Sequence, residues 1–252
     1  MSPRALLLAL ALLALAAPRA AAQLPQEPPE LIADLSHHLI AITSDFTGTD
    51  LLVFGVADPE GELIVVVRGP RVPVVVRKKE RVFGIWMNTR SATFNSVPLY
   101  YAVAASGPLA EIADADSLRL LEIGMENLRL EPEPELDPEI EESFEQALIE
   151  LKQASALYPR EPSRVDRVAG RLFRASIHFP AAVPVGTYVA DVFLLKDGLV
   201  VAAQTSPLVI HKAGFGAEVF DFAHESSALY GLLAVVGAAM AGFLGSLLFR
   251  RP

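Results

Sequence analysis

The feature that most constrains this chain is an unbroken apolar run from Ala228 to Phe249, which is followed by Arg250 and Arg251. No charged side chain interrupts it. A helix of about 20 apolar residues spans the hydrocarbon core of a bilayer. The sequence therefore predicts a transmembrane helix at 227–249, and the rest of the chain must fold outside the hydrocarbon layer.

A shorter apolar stretch, residues 5–17, lies near the N-terminus between Arg4 and the small side chains of Ala20 and Ala22. It is too short for a stable span, and the Ala-x-Ala pattern is typical of a signal-peptidase site. We therefore predict a cleaved signal peptide at 1–22. An uncleaved second anchor is the alternative.

Charges on the two sides of the predicted span indicate its orientation. Asp221 and Glu225 lie before it, in a juxtamembrane segment at 213–226, and a basic tail at 250–252 follows it. Basic residues favour the cytoplasmic side of a membrane. The prediction is a single-pass protein of the bacterial inner membrane, with a periplasmic N-terminal domain and a cytoplasmic C-terminus.

The predicted exported part is strongly acidic. The chain has 21 Lys and Arg against 30 Asp and Glu, and four of the Arg lie in the signal peptide and the tail. The exported part therefore holds 17 basic against 30 acidic residues, a net charge of −13. This charge argues against a nucleic-acid partner and against general attraction to anionic lipid headgroups, because both require a basic surface.

A proline-rich lead-in at 23–30 precedes a first β block, predicted at 31–107. Its β-rich runs are separated by turn signals such as Asp58-Pro59-Glu60-Gly61. The predicted strands are Leu39 to Thr43, Leu51 to Ala57, Leu63 to Arg68, Val72 to Arg77, Val82 to Asn88 and Tyr100 to Ala104.

A helical insertion with an acidic, proline-rich linker is predicted at 108–165. Apolar spacing indicates short helices at Pro108 to Ala113 and Ser117 to Leu128. A longer helix is predicted from the N-cap Asp137 to the stop at Tyr158-Pro159. We expect its apolar stripe to dock on the β-sandwich, with Ile140, Phe144, Leu148 and Leu151 on the buried side.

The second β block, predicted at 166–212, has the clearest local signature. Asp197-Gly198 is typical of a two-residue hairpin turn. Tyr188, at the start of the preceding strand, resembles the tyrosine corner of immunoglobulin-like domains; the alternative is an ordinary strand tyrosine. The second block has too few strands to close a core alone. We therefore predict a mainly β fold: one immunoglobulin-like antiparallel β-sandwich with a helical insertion and one C-terminal transmembrane helix. Two small β domains joined by helices are the alternative.

Two segments, Ile42 to Gly55 and Phe94 to Pro98, together with the terminal span, resemble an uncharacterised family of alphaproteobacterial transmembrane proteins. The resemblance covers essentially the whole mature chain and implies a bacterial membrane protein. It implies no catalytic residue, because the family has no established activity. It also implies a gene neighbourhood that includes sulfite-exporter-like permeases.

The sequence contains no nucleophile elbow, phosphate-binding loop or zinc-type His-Glu-x-x-His motif. We therefore assign no catalytic residue, cofactor or metal site. His37 and His38 are the only metal candidates that we retain, although neighbours on a strand point to opposite faces. A solvated strand start is the simpler interpretation of this pair.

A basic run stands out in the acidic domain. It is either a binding patch for an anion or an acidic partner, or the charged end of a hairpin or an edge strand, where such charges discourage aggregation. Its members are Arg68, Arg71, Arg77, Lys78, Lys79 and Arg81.

Small residues recur every four positions along the predicted span in two neighbouring rows. Such rows let a second helix approach closely, although a single lipid-solvated anchor is an equal alternative. The expected partners are the bilayer and either a polytopic, permease-like inner-membrane protein or a second copy of the chain. The rows comprise Ala234, Ala238, Gly242 and Ser246, and Gly237, Ala241 and Gly245.

Together these features favour a noncatalytic, membrane-tethered periplasmic binding or accessory module. The alternative is a periplasmic metal- or oxyanion-handling protein, or an enzyme with a dispersed site. An immunoglobulin-like fold does not decide between them, because it supports many functions.

Overall fold

The computed structural model describes residues 30–133, 136–214 and 222–248. The two predicted β blocks share one curled nine-stranded sheet in the order β1-β3-β10-β9-β7-β4-β11-β12-β2. Its strands are β1 (Leu31–Leu35), β2 (Leu39–Ile42), β3 (Gly48–Ala57), β4 (Glu62–Arg68), β7 (Tyr101–Ala105), β9 (Ser163–Val168), β10 (Leu172–Pro180), β11 (Gly186–Lys196) and β12 (Leu199–Lys212). A second sheet contains β5 (Arg71–Val82), β6 (Ile85–Pro98) and β8 (Pro132–Glu133).

The curled sheet has the strand arrangement of an immunoglobulin-like sandwich. The order β1-β3-β10-β9 corresponds to strands A, B, E and D of that fold, and β4-β11-β12 corresponds to C, F and G. β3 pairs with β10, and β4 pairs with β11, so each layer combines strands from both blocks. The predicted sandwich with a helical insertion and a C-terminal helix is therefore confirmed.

Burial differs between the two layers. β3 alternates strictly, with Leu51 and Val53 buried and the side chains between them exposed, as expected for a sheet with one wet face. β4 is buried continuously from Leu63 to Val67. The reason is the segment 109–128, which packs on the main core through Ile112, Leu118 and Ile123 and leaves β4 without an exposed face.

That segment contains α1 (Leu109–Ile112), α2 (Ala115–Leu120) and a 3-10 turn at Met125–Asn127. α2 ends well before the predicted limit at Leu128. Glu122 and Gly124 both have positive φ, which an α-helix does not accommodate. β1, β8 and β9 were not predicted. The predicted strand Val82 to Asn88 is wrong, because the turn at Phe83 and Gly84 interrupts it.

The helix α3 (Pro138–Ala154) starts at the predicted N-cap, Asp137, but does not dock on the sandwich as expected. It packs instead on the β5–β6 hairpin, which the sequence pattern had placed among the sandwich strands. Leu151, predicted in the buried stripe, is 60% exposed. This second core comprises Val76, Ala92, Phe94, Val97, Leu130, Phe144 and Leu148.

The C-terminal helix α4 (Ser227–Leu248) coincides with the predicted span. Over Ser227–Ser246 its mean hydropathy is 1.9, and none of this window is buried inside the protein. It is long and apolar enough to cross a bilayer. The predicted signal peptide, most of the lead-in, part of the juxtamembrane segment and the tail lie outside the described residues.

The predicted turn and tyrosine corner are both present. Asp197 and Gly198 have φ of 52° and 81°, which is the left-handed geometry of a two-residue hairpin. The Tyr188 hydroxyl donates to the Pro184 carbonyl oxygen at 2.6 Å. Its ring is fully buried and lies edge-on to Phe179, with centroids 5.6 Å apart.

We expect Tyr188→Phe to lower the free energy of unfolding by about 1 kcal/mol, because the ring packing remains while one part-buried hydrogen bond is lost. Urea unfolding followed by circular dichroism measures the change. A midpoint equal to that of the wild type would show that the hydroxyl contributes no stability.

Candidate functional site

One exposed apolar surface of the sandwich lies on the outer face of β1-β3-β10-β9, which we call the open face. Register places Ile32 opposite Val56, Val56 opposite Leu172, and Leu172 opposite Val168. Cross-strand neighbours lie about 5 Å apart, so these side chains form one row across four strands. Their exposed fractions are 49%, 36%, 45% and 39%, respectively.

A second row on the open face mixes an aromatic ring with charges. Phe54, 38% exposed, lies opposite Asp34 on one side and Arg174 on the other. The Arg174 Nε lies 3.8 Å from the Asp166 carboxylate on the next strand. An apolar centre beside a charged border is the usual composition of a protein-binding surface.

A shallow cleft of about 360 Å³ adjoins this second row. Its six lining residues come from β3, β9 and β10: Leu52, Ser163, Arg164, Asp166, Arg174 and Ser176. The next row of the sheet joins His178 Nδ1 to the Asp50 carboxylate at 2.8 Å. The open face therefore changes from apolar to polar along β3 and β10.

The predicted basic run does not form one patch. The Arg68 Nη1 lies 2.6 Å from the Asp191 carboxylate, and its Nη2 donates to the Leu121 carbonyl oxygen. Arg71 pairs with the Glu122 carboxylate. Arg68 therefore fastens the segment 109–128 to β4 of the sandwich, and Arg71 fastens it to β5 of the second sheet. Both roles are structural.

The other four cations, Arg77, Lys78, Lys79 and Arg81, lie on the outer half of the β5–β6 hairpin. We call residues 77–91 the hairpin tip; none of them is buried. Lys78 pairs with Glu80 at 3.0 Å, and the Arg81 Nε donates to the Gly84 carbonyl oxygen at 3.1 Å. Four exposed apolar side chains complete the tip: Phe83, Ile85, Trp86 and Met87.

The two adjacent histidines engage different partners. His38 Nδ1 contacts the Pro207 carbonyl oxygen at 3.1 Å, and its Nε2 lies 3.0 Å from the Asp34 carboxylate. His37 Nδ1 lies 3.0 Å from the Ser36 hydroxyl. Within the described ranges, no three His, Asp or Glu side chains are grouped closely enough to hold a metal ion.

Buried ionisable groups serve packing. Burial raises the pKa of Tyr101 to about 12. Its hydroxyl donates to the Glu122 carbonyl oxygen at 2.9 Å and accepts the Gly124 N–H at 2.8 Å. Desolvation lowers the pKa of Lys152, whose ammonium lies 5.8 Å from the centre of the Tyr158 ring. These groups hold the insertion in place.

The small-residue rows of α4 have exposed or half-exposed positions throughout. A Cβ added to Gly237, Gly242 or Gly245 would meet no atom within 4 Å. This side of the helix is therefore open to lipid or to another helix. The remaining members are Ala234, Ala238, Ala241 and Ser246.

Comparison with curated proteins and with solved structures gives no match. Comparison with protein families gives a match over residues 30–251, which includes both sheets, the insertion and α4. The match agrees with the resemblance carried by Ile42 to Gly55 and the terminal span. The chain therefore belongs to the transmembrane family described as "Putative transmembrane protein (Alph_Pro_TM)".

Proposed function

We propose that this protein is a noncatalytic, membrane-tethered binding module that docks another membrane protein on its open face. The observation that carries this proposal is the apolar row of Ile32, Val56, Leu172 and Val168, exposed across four strands. The row is continuous, and a charged border accompanies it. Exposed patches of this composition mark interaction sites.

The contrast between the two layers supports the choice of this face. The segment 109–128 packs over the second layer, so that β4 has no exposed face. β3 instead exposes Leu52, Phe54 and Val56 on the open face. The fold covers the central strand of the second layer with its own chain, and in our proposal a partner covers the open face.

The membrane tether supports a partner in the same bilayer. Tethering raises the effective concentration of a module near other membrane proteins, so a modest surface suffices for binding. The small-residue rows of α4 offer a second contact, because close helix approach brings van der Waals contact. The proposed arrangement places the sandwich in the bacterial periplasm after signal-peptide cleavage and the C-terminus in the cytoplasm, as the basic tail favours.

The test replaces Phe54 with the photo-crosslinking residue p-benzoylphenylalanine in the full chain, expressed in membranes of the native host. We expect a discrete adduct with a membrane protein. The same residue at Leu199 on β12, which is 59% exposed against 38% for Phe54, serves as the control and is expected to give none.

In a second step, Val56→Lys is added to the Phe54 cross-linker. A charge in an apolar contact costs enough binding free energy to reduce adduct yield by about tenfold or more. Val201→Lys, a matched change on the exposed side of β12, is expected to leave the yield unchanged. Equal yields from Leu199, or an adduct insensitive to Val56→Lys, would contradict the proposal.

A further inference from the structure

We propose that the hairpin tip (residues 77–91) is a lipid-contact site that inserts its apolar end among the headgroups of an anionic bilayer. This inference rests on membrane attachment and does not depend on the open face or its partner. The domain as a whole is acidic, so the site must be local. Four observations carry it.

First, the end of the hairpin is apolar and uncovered. Phe83 is fully exposed, and Ile85, Trp86 and Met87 are 68%, 69% and 52% exposed. They are nearly consecutive in sequence and occupy the turn and the first residues of β6. Aromatic side chains of this kind are enriched where proteins meet the membrane–water interface.

Second, phenylalanine is an unfavourable residue at position 83 when the turn is exposed to water. Phe83 and Gly84 have φ of 50° and 86°, the geometry of a type I′ turn. Asn, Asp and Gly are preferred at the first of these positions, because other side chains are strained there. Phe83 makes no buried contact that offsets the strain. Neither turn geometry nor packing explains a phenylalanine here, whereas insertion into lipid does.

Third, the cations lie behind the apolar end in the order that a bilayer requires. Residues 77–91 contain five basic side chains and one acidic, a net charge of +4 in a domain of −13. Arg81 and Lys79 lie two and four residues behind Phe83, or about 7 and 13 Å along the strand. With Phe83 at the acyl boundary, both reach the depth of the lipid phosphates.

Fourth, the tip projects from the fold. The last buried side chains of the hairpin are Val76 and Ala92. Six further residues of β5 extend about 20 Å beyond them. An uncovered two-stranded ribbon has little stability of its own. A membrane surface supplies the missing apolar contact, and α4 keeps that surface near.

The chain provides its own reporter, because Trp86 is its single tryptophan. The full chain is reconstituted into phosphatidylcholine vesicles with brominated acyl chains, with or without phosphatidylglycerol. With the anionic lipid, we expect Trp86 emission at shorter wavelength, quenching by bromine and protection from aqueous iodide. Emission typical of water, with full iodide access in both vesicles, would overturn the proposal.

A protein contact gives a different result from a lipid contact. If the tip binds a second copy of the chain, Trp86 emission shifts without bromine quenching and depends on the protein-to-lipid ratio. That outcome would also overturn the proposal. Quenching that persists at low protein-to-lipid ratio supports it.

Two variants separate the apolar and the charged contributions. Phe83→Asn creates the preferred Asn-Gly turn, so the thermal midpoint is expected to stay or rise while bromine quenching falls. Lys79→Glu with Arg81→Glu is expected to lower the ratio of bound to free tip by at least fivefold per residue. Arg119→Glu, at an exposed position on α2, is the matched control. Quenching unchanged in both tip variants would refute the proposal.

Discussion

Gly55→Ala is expected to destabilise the sandwich by about 3 kcal/mol or more, the upper range for overpacking a well-packed core. Gly55 lies in β3, between β1 and β10. A Cβ at this position would lie 2.0 Å from the Ile32 carbonyl oxygen and 2.8 Å from the Phe173 ring. The first of these is a backbone atom, which cannot rotate away, so the β1–β3 pairing itself would have to open.

This loss is a large fraction of the total stability of a small domain, which is only about 5–15 kcal/mol. Urea unfolding of the full chain in detergent, followed by circular dichroism near 218 nm, measures it. Val56→Ala, on the exposed side of the same strand, is the control and is expected to change stability by less than about 1 kcal/mol. A wild-type midpoint for Gly55→Ala would mean that β1 does not pair with β3 as described.

Arg68→Ala is expected to lower the free energy of unfolding by about 3 kcal/mol. The substitution leaves the Asp191 carboxylate without its cation and the Leu121 carbonyl oxygen without its donor. Both side chains of the ion pair are largely shielded, with exposed fractions of 14% and 19%. A shielded charge that loses its partner retains the cost of its desolvation.

Lys79→Ala is the matched control, because it removes the same charge from the same basic run at an exposed position. We expect a change within about 0.5 kcal/mol. Arg68→Lys should recover only part of the loss, since one ammonium does not reproduce the two-sided contact of the guanidinium. A double-mutant cycle with Asp191→Ala should give a coupling energy of about 1 kcal/mol or more. Equal losses of stability in Arg68→Ala and Lys79→Ala would contradict the assignment of a structural role to Arg68 but not to Lys79.

Features that depend on neighbouring residues were predictable. Asp197-Gly198 forms the expected turn, Asp137 starts the expected helix, and Tyr188 makes the expected bond to Pro184. In each case the chemistry lies within a few residues, so the sequence pattern contains the whole cause.

Features that depend on which elements of the chain pack together were not predictable in the same way. The stripe of α3 was correctly identified as apolar at Phe144 and Leu148, but its partner was wrong. The alternation of side chains in β5 predicts a strand with one buried face. The same pattern is expected whether that strand belongs to a sandwich or to a separate hairpin. Periodicity identifies the face of an element but not the element that covers it.

The candidate sites show the same division. The basic run was visible in the sequence, yet Arg68 and Lys79 differ in role. Arg68 pairs with a shielded carboxylate, whereas Lys79 is exposed at the hairpin tip. The open face was invisible, because Ile32, Val56 and Leu172 are far apart in the chain. Strand register brings them into one row.

By itself, the sequence determined the apolar span, the acidic balance of the domain, most strands and turns such as Asp197-Gly198, because composition and short-range patterns control these properties. Only the tertiary structure decided which apolar surfaces are covered and which cations are free. Those outcomes depend on pairings between residues up to 171 positions apart, such as Ala33 with Gln204. Their energies come from contacts that no local pattern records.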